Sequence, residues 1–198
     1  RSGNTATVLE EVCRSVNAKA VYCSRQYQPW AGQLEQSLRD KLSQHGVALK
    51  RYPGTLLHEP EAVATGAGTP FKVFTPFWRA CLRRPDPQMP LATPTLSPCP
   101  TPVESETLNS WNLLPTEPNW AHGWEDLWCP GEDGAHAALE QFLAHHVIDY
   151  GDGRDIPSAR STSRLSPYLR FGNISPRQVW HAAQASKVFE PEASSATD

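Results

Sequence analysis

The chain has 198 residues, of which 39% are hydrophobic and 20% are charged, and its formal net charge is −3 at pH 7. This composition is typical of a soluble globular protein with one large domain or two small ones. No apolar run approaches the roughly 18 residues that span a bilayer, which argues against a membrane protein. A slightly acidic chain has no overall attraction to nucleic acid, so any DNA contact must come from a local basic patch.

The N-terminus has neither an initiator methionine nor a signal-peptide pattern, so we expect a cytoplasmic protein whose chain has been cut from a longer one. Its five cysteines are widely spaced, without a C-x-x-C pair, which argues against a disulfide framework and against a zinc site. His136, His145 and His146 lack the helical spacing of a zinc-binding pair, and solvent-facing histidines are the favoured interpretation. We therefore expect free thiols and no metal.

In the first part of the chain, segments with the apolar spacing of a helix alternate with short apolar runs typical of buried strands. Residues 7–16 and 33–45 carry apolar side chains at helical spacing, and residues 18–23 and 47–52 are short apolar runs that fit buried strands. Helix, strand, helix and strand in this order predict a doubly wound parallel sheet. A helix over residues 76–84 would complete the rim of this α/β domain, which we assign to residues 1–84.

Nine of the nineteen prolines lie between residues 85 and 118, where neither helix nor strand is expected. We assign residues 85–130 to a linker rich in proline and tryptophan. Its tryptophans, at positions 111, 120, 124 and 128, fit buried anchors better than an exposed stacking site for a ligand. Helical periodicity returns over residues 134–147 and 175–186, so a helical domain is predicted for residues 131–198.

The last quarter of the chain contains the most informative motif. Residues 150–157 read YGDGRDIP, and residues 162–177 read TSRLSPYLRFGNISPR. Hydroxyls, an arginine and the backbone N–H groups of a helix start can together hold a pyrophosphate, although a capped helix with solvated arginines is the plainer alternative. The arginines of this region also form the only candidate basic patch (Arg154, Arg160, Arg164, Arg170 and Arg177).

The order of these residues closely resembles the flavin-entry segment of the DNA photolyase and cryptochrome family. Further landmarks of that family precede it in the right order: AVYCSRQYQPW at 20–30, LHEP at 57–60 and FKVFTPFWRA at 71–80. The resemblance covers roughly residues 1–185. Within the family it is greatest to bacterial class I enzymes that split cyclobutane pyrimidine dimers.

The resemblance implies the latter part of a Rossmann-like α/β domain, a linker, and the start of an all-α domain that binds flavin adenine dinucleotide (FAD). It assigns FAD contacts to the hydroxyls, backbone and aromatic ring of the motif, namely Tyr150, Thr162, Ser163, Arg164, Leu165 and Ser166. Arg154 would contact a phosphate of damaged DNA, with a salt bridge to Asp152 or Asp155 as an even alternative. Ser161 replaces the glycine that usually precedes the threonine.

The family also holds an antenna chromophore, a folate or a deazaflavin, near the segment that matches residues 26–32. Antenna-binding members commonly carry acidic residues there, whereas this chain has Gln26, Gln28 and Ala31. The expectation of an antenna is correspondingly weak.

By resemblance, the protein performs light-driven repair: a deoxyribodipyrimidine photolyase that splits pyrimidine dimers in damaged DNA with an electron from excited reduced FAD. A cryptochrome-like blue-light receptor and a truncated product without function are the alternatives. The residues that meet the dimer are expected downstream of Asp198, so no catalytic residue is assigned in this chain. We expect the parent protein to be a monomer. The fragment alone is expected to be poorly soluble or partly molten and neither to hold flavin nor to repair DNA.

Overall fold

A computed structural model describes residues 1–186 of the chain. These residues divide into two compact units. The first, here called the α/β unit, comprises Arg1–Gly54 and Ala92–Trp124; the second, the helical unit, comprises Thr55–Leu91 and the chain from Glu125 onward. Within the described residues, no helix is both long enough and apolar enough to cross a membrane.

The α/β unit contains two helices and two strands: α1 (Thr5–Ser15), β1 (Ala20–Ser24), α2 (Pro29–Ser43) and β2 (Ala48–Tyr52). The Asn4 side chain begins α1 by accepting hydrogen bonds from the N–H groups of Ala6 and Thr7, at 3.1 and 3.3 Å. The two strands pair in parallel, with Ala20 opposite Ala48. The predicted order and direction are therefore confirmed, as a mixed α/β arrangement around a two-stranded parallel sheet.

The core of the α/β unit is small. Cys13, Leu42 and Val47 form its contiguous buried cluster, and three partly buried side chains pack against them (Ala18, Val21 and Leu49). Ala6, Ala31 and Leu38 are also buried but lie outside this cluster. Tyr22 and Tyr52 lie on the sheet with their rings stacked 6.1 Å apart, yet 63% and 53% of their surfaces are exposed. A sheet of two strands thus leaves large aromatic side chains in contact with water.

Up to residue 186, the helical unit contains five α-helices: α3 (Phe74–Leu82), α4 (Glu132–His145), α5 (Tyr150–Gly153), α6 (Ser166–Phe171) and α7 (Pro176–Ala185). Short 3-10 helices lie at Pro60–Ala62 in this unit and at Leu108–Trp111 in the α/β unit. A third, Trp124–Asp126, lies where the chain passes from the α/β unit into the helical unit. α7 begins with a capping box, in which the Gln178 N–H donates to Ser175 Oγ at 3.2 Å. The proline at the first position of α7 needs no hydrogen-bond partner for its nitrogen.

The core of the helical unit is larger. Its buried members come from α4, α6 and the segments before α6 and α7 (Ala135, Leu139, Leu165, Tyr168 and Ile174). Tyr168 donates its hydroxyl to the Cys129 carbonyl at 3.0 Å, and the Trp128 ring lies 6.1 Å from the Tyr168 ring. The tyrosine therefore buries its ring while its polar end keeps a partner.

The observed division differs from the three predicted segments. α3, predicted as the rim of the α/β domain, belongs to the helical unit, and the proline-rich stretch is shared between the units at position 91. Among the four linker tryptophans, Trp128 is half-buried, whereas Trp111, Trp120 and Trp124 are exposed. The expected burial of these anchors is therefore wrong for three of the four. The Trp120 and Trp124 rings contact each other edge to face at 5.3 Å, and both stay exposed.

Candidate functional site

A cavity of about 220 Å³ lies in the helical unit, between the C-terminal turns of α4 and the loop that precedes α6. From α4 and its cap it is lined by Ala138, Gln141, Phe142 and His146, and from the loop by Arg160, Thr162, Ser163 and Arg164. All of its polar lining groups can donate hydrogen bonds, and none is a carboxylate. We call this space the cationic cavity.

The loop takes its shape from alternating buried and exposed residues. Leu165 is buried in the core of the unit, and its N–H donates to Ser163 Oγ at 3.4 Å. Between them, Arg164 adopts a left-handed backbone with φ of 53°. This conformation costs a non-glycine residue about 1 kcal/mol or more, and burial of Leu165 offsets the cost. The strained arginine thereby lines the cavity while its neighbour anchors the loop.

Ser161 holds the same loop against α5. Its side chain is buried and occupies the space that a Cβ atom on Gly153 would need. Serine at 161 and glycine at 153 are therefore complementary. The departure from the family pattern at Ser161 is explained by packing, since the side chain does not line the cavity.

The two arginines of the cavity have no carboxylate partner in the part of the chain that the structure describes. Within residues 1–186, neither Arg160 nor Arg164 forms an ion pair. Guanidinium groups bind phosphate oxygens well because their fixed, planar N–H donors match the geometry of the anion. Together with the hydroxyls of Thr162 and Ser163, this donor set fits a pyrophosphate.

Tyr150 and Arg154 lie beside the cavity but do not line it. Tyr150 begins α5, and its ring contacts Phe142 edge to face at 6.0 Å. The Arg154 guanidinium lies 5.8 Å from the centre of the Tyr150 ring, and its Nε is 3.7 Å from Asp155 Oδ2. Of the two acidic partners considered for Arg154, Asp155 is thus the one that it approaches, while about half of the arginine side chain stays exposed.

The structure brings together only some of the predicted cofactor contacts. Thr162, Ser163 and Arg164 share the cavity, whereas the Leu165 side chain points into the core and Ser166 starts the six-residue helix α6 outside the lining. Gln141, His146 and Arg160 also line the cavity. None of the three was predicted as a cofactor contact, although Arg160 was predicted as part of the basic patch. The i, i+4 spacing of positions 138, 142 and 146 is the signal that could have found His146, since it places one side of α4 against the loop.

The segment expected near an antenna lies in the α/β unit. α2 starts at Pro29 and buries Ala31, while Gln26 and Gln28 are exposed. The histidine pair expected to be solvent-facing ends α4: the His145 and His146 rings are 6.2 Å apart, with His145 exposed and His146 half-buried. Among residues 1–186, no three His, Cys, Asp or Glu side chains are grouped to hold a metal ion.

Comparison with known proteins gives a consistent family assignment. Residues 1–98 match the family model described as DNA photolyase. A deoxyribodipyrimidine photo-lyase from Agrobacterium fabrum is 39% identical over 184 residues, which are 92% of this chain and 38% of that protein. A protein of the same name from a Synechococcus species is 32% identical over 93% of this chain and 39% of its own length. Cryptochrome-1 of Arabidopsis thaliana is 29% identical over 95% of this chain and 28% of its own length.

Solved structures agree with these relatives. The crystal structure of a bacterial class III photolyase from Agrobacterium tumefaciens superimposes with a TM-score of 0.80 and 38% identity, over 91% of this chain and 38% of that one. A Synechocystis cryptochrome, at a TM-score of 0.63 and 21% identity, shares the fold over 91% of this chain and 38% of its own. The chain thus spans about two fifths of the photolyases that it matches. The Agrobacterium tumefaciens neighbour is a class III photolyase, whereas the sequence resemblance was greatest to class I enzymes. The chain belongs to the DNA photolyase and cryptochrome family.

Proposed function

We propose that this chain is part of a deoxyribodipyrimidine photolyase, in which the helical unit supplies the wall that binds the phosphates of FAD. One observation carries the proposal: the cationic cavity combines Thr162, Ser163 and Arg164 of the family motif with further donors and no carboxylate. A site of this composition favours an anion over a neutral or cationic ligand.

The roles of the chain's own residues follow from the geometry. Thr162, Ser163 and Arg164 would hold the pyrophosphate, while burial of Leu165 fixes the position of the loop. Tyr150 would lie against the cofactor, on the outer side of Phe142. When bound and reduced, FAD supplies an electron to the pyrimidine dimer under light. The protein must keep the phosphates fixed and water away, and must accept a dimer flipped out of the DNA duplex.

Flavin binding can be tested in the complete protein encoded by the reading frame that contains this chain, hereafter the full protein. Changing Ser163 and Arg164 together to alanine should weaken FAD binding about ten- to hundredfold, because a lost charged hydrogen bond costs about 1.5–3 kcal/mol. FAD occupancy after purification, read from the flavin absorbance, is the measurement. The matched control changes Ser158 and Arg170, which do not line the cavity. Wild-type occupancy in the Ser163/Arg164 variant would refute the assignment.

DNA binding is tested separately at Arg154. This exposed guanidinium is proposed to contact a DNA phosphate, so Arg154→Ala should weaken damaged and undamaged DNA alike. The plot of log affinity against log salt should lose about one unit of slope, as expected for one lost phosphate contact. Arg83→Ala, at the end of α3, is the control. A loss confined to damaged DNA, with the slope unchanged, would count against the contact.

A cryptochrome-like photoreceptor is the second candidate, because Cryptochrome-1 of Arabidopsis thaliana also aligns with 95% of the chain. The two functions differ in the product of illumination. A photolyase restores intact pyrimidines in DNA that carries cyclobutane dimers, whereas a photoreceptor leaves the dimers in place. Counting dimers before and after blue light, with flavin-loaded full protein, decides between them.

A further inference from the structure

His146 is the one side chain of the cationic cavity whose charge can change near neutral pH. It is the C-cap residue of α4 and lies outside the sequence motif that predicted the phosphate site. Its ring is half-buried, and it faces the cavity across from the loop that carries Thr162 and Ser163. A ligand in the cavity would therefore lie between the motif and this imidazole.

The surroundings of His146 are cationic or neutral on every side that the cavity defines. The loop contributes Arg160 and Arg164, and α4 contributes the neutral side chains of Gln141 and Phe142. The adjacent His145 ring, 6.2 Å away, is the other titratable neighbour. A bound pyrophosphate beside the ring favours the protonated imidazolium, because a nearby anion stabilises the positive charge.

We propose that His146 contacts the pyrophosphate as an imidazolium, so that binding of a nucleotide pyrophosphate takes up a proton and strengthens as the pH falls. The proposal rests on the cavity being the flavin phosphate site. It adds to that function a ligand contact on α4, outside the family motif, and a pH dependence of ligand binding. The imidazolium offers two N–H donors, and it replaces a neutral ring that has one donor and one acceptor.

The sign of the effect follows from linkage. If the complex binds one proton more than the free protein, affinity must fall as the pH rises, by at most tenfold for each pH unit. Between pH 6 and 8 we therefore expect FAD to bind about tenfold or more weakly at the higher pH. FAD is a suitable probe because its pyrophosphate is a diester and does not titrate in this range.

The experiment measures FAD binding to flavin-free full protein by quenching of flavin fluorescence at pH 6, 7 and 8. Riboflavin, which has the same ring system but no phosphate, is the parallel ligand. His146→Gln should bind FAD about tenfold more weakly at pH 6 and should lose the pH dependence. His146→Lys should keep the affinity of pH 6 at all three values, because its charge is constant. His145→Gln is the matched control and should behave as wild type.

Several outcomes would overturn the proposal. Equal affinity of wild type for FAD at pH 6 and 8 would do so, and so would an equal pH dependence for riboflavin. An unchanged slope in His146→Gln would assign the proton to another group. If Ser163/Arg164 variants weaken FAD binding while His146 variants do not, only the role of His146 fails. If FAD does not bind at any pH, the proposed function fails and the role of His146 fails with it.

Discussion

The two compact units differ in the size of their buried clusters and in the exposure of their tyrosine side chains. In the α/β unit, the largest contiguous cluster has three buried residues, and the two tyrosines of the sheet remain exposed. In the helical unit, five buried residues form the core, and its Tyr168 is buried with the hydroxyl bonded to a backbone carbonyl. Helices can cover one another, whereas a sheet of two strands cannot bury both of its faces. The larger core thus forms in the unit whose elements can pack on several sides.

This difference matters for the site. Leu165 belongs to the core of the helical unit, and the residue before it, Arg164, lines the cationic cavity. Any loss of packing around Leu165 is therefore transmitted to the loop that holds the donors. All eight lining residues of the cavity belong to the helical unit.

The largest loss of stability is expected from truncating one buried core side chain in each unit. Ile174→Ala in the helical unit and Leu42→Ala in the α/β unit each remove a side chain that is at most 2% exposed. Each should cost about 2–5 kcal/mol of unfolding free energy. Hydrogen-exchange mass spectrometry of the full protein should show faster exchange of α4 and α7 in the first variant, and of α1 and α2 in the second.

The comparison between the units fails if both variants accelerate exchange in all four helices equally, because the two cores would then unfold as one. Phe171→Ala is the control, since this side chain is 80% exposed. Phe171→Ala should change the free energy of unfolding by no more than an ordinary surface substitution, about 0.5 kcal/mol, and should leave hydrogen exchange in all four helices nearly unchanged.

A smaller effect, confined to the helical unit, is expected at Gly153. The added methyl group of Gly153→Ala would overlap Ser161 Oγ, so we expect a loss of about 1–3 kcal/mol from overpacking. Adding Ser161→Gly to the Gly153→Ala variant should restore most of this stability, because it removes the Ser161 Oγ atom that the new methyl group overlaps. Urea denaturation of the single and double variants measures the recovery. A double variant no more stable than Gly153→Ala would show that the cost lies in the backbone of α5.

The smallest effect concerns pH and the α/β unit. Burial raises the pKa of the Cys13 thiol, so the folded state favours the neutral form. The stability linked to this group is complete below the unfolded thiol's pKa, about 8.5, and is lost as the pH rises through the higher folded pKa. Urea denaturation at pH 7.5 and 10 should therefore show a smaller alkaline loss for Cys13→Ala than for wild type. The exposed Cys99 offers the control, since Cys99→Ala should lose as much as wild type.

Much of the secondary structure follows from the sequence alone, because hydrophobic periodicity is a local property. The two strands, their parallel order and the helices α1, α4 and α7 match the predicted positions to within two residues. α2 begins at Pro29, four residues before the predicted start. Proline at the first position suits a helix start, and the apolar pattern used for the prediction begins only further along the helix.

The motif of small hydroxyls and arginine predicted Thr162, Ser163 and Arg164 as phosphate contacts from local sequence, and the structure places these three residues in one cavity. It could not show that His146 and Arg160 line the same cavity, although Arg160 had been placed in the basic patch, and it could not tell that the Leu165 side chain turns away from the cavity. Those facts depend on how α4 meets the loop before α6, which is decided when Leu139 and Leu165 enter the same core. Sequence by itself determined which donors the loop carries. Only tertiary packing decided that these donors lie opposite α4 and His146. The reason is that burial, unlike periodicity, depends on contacts between segments far apart in the chain.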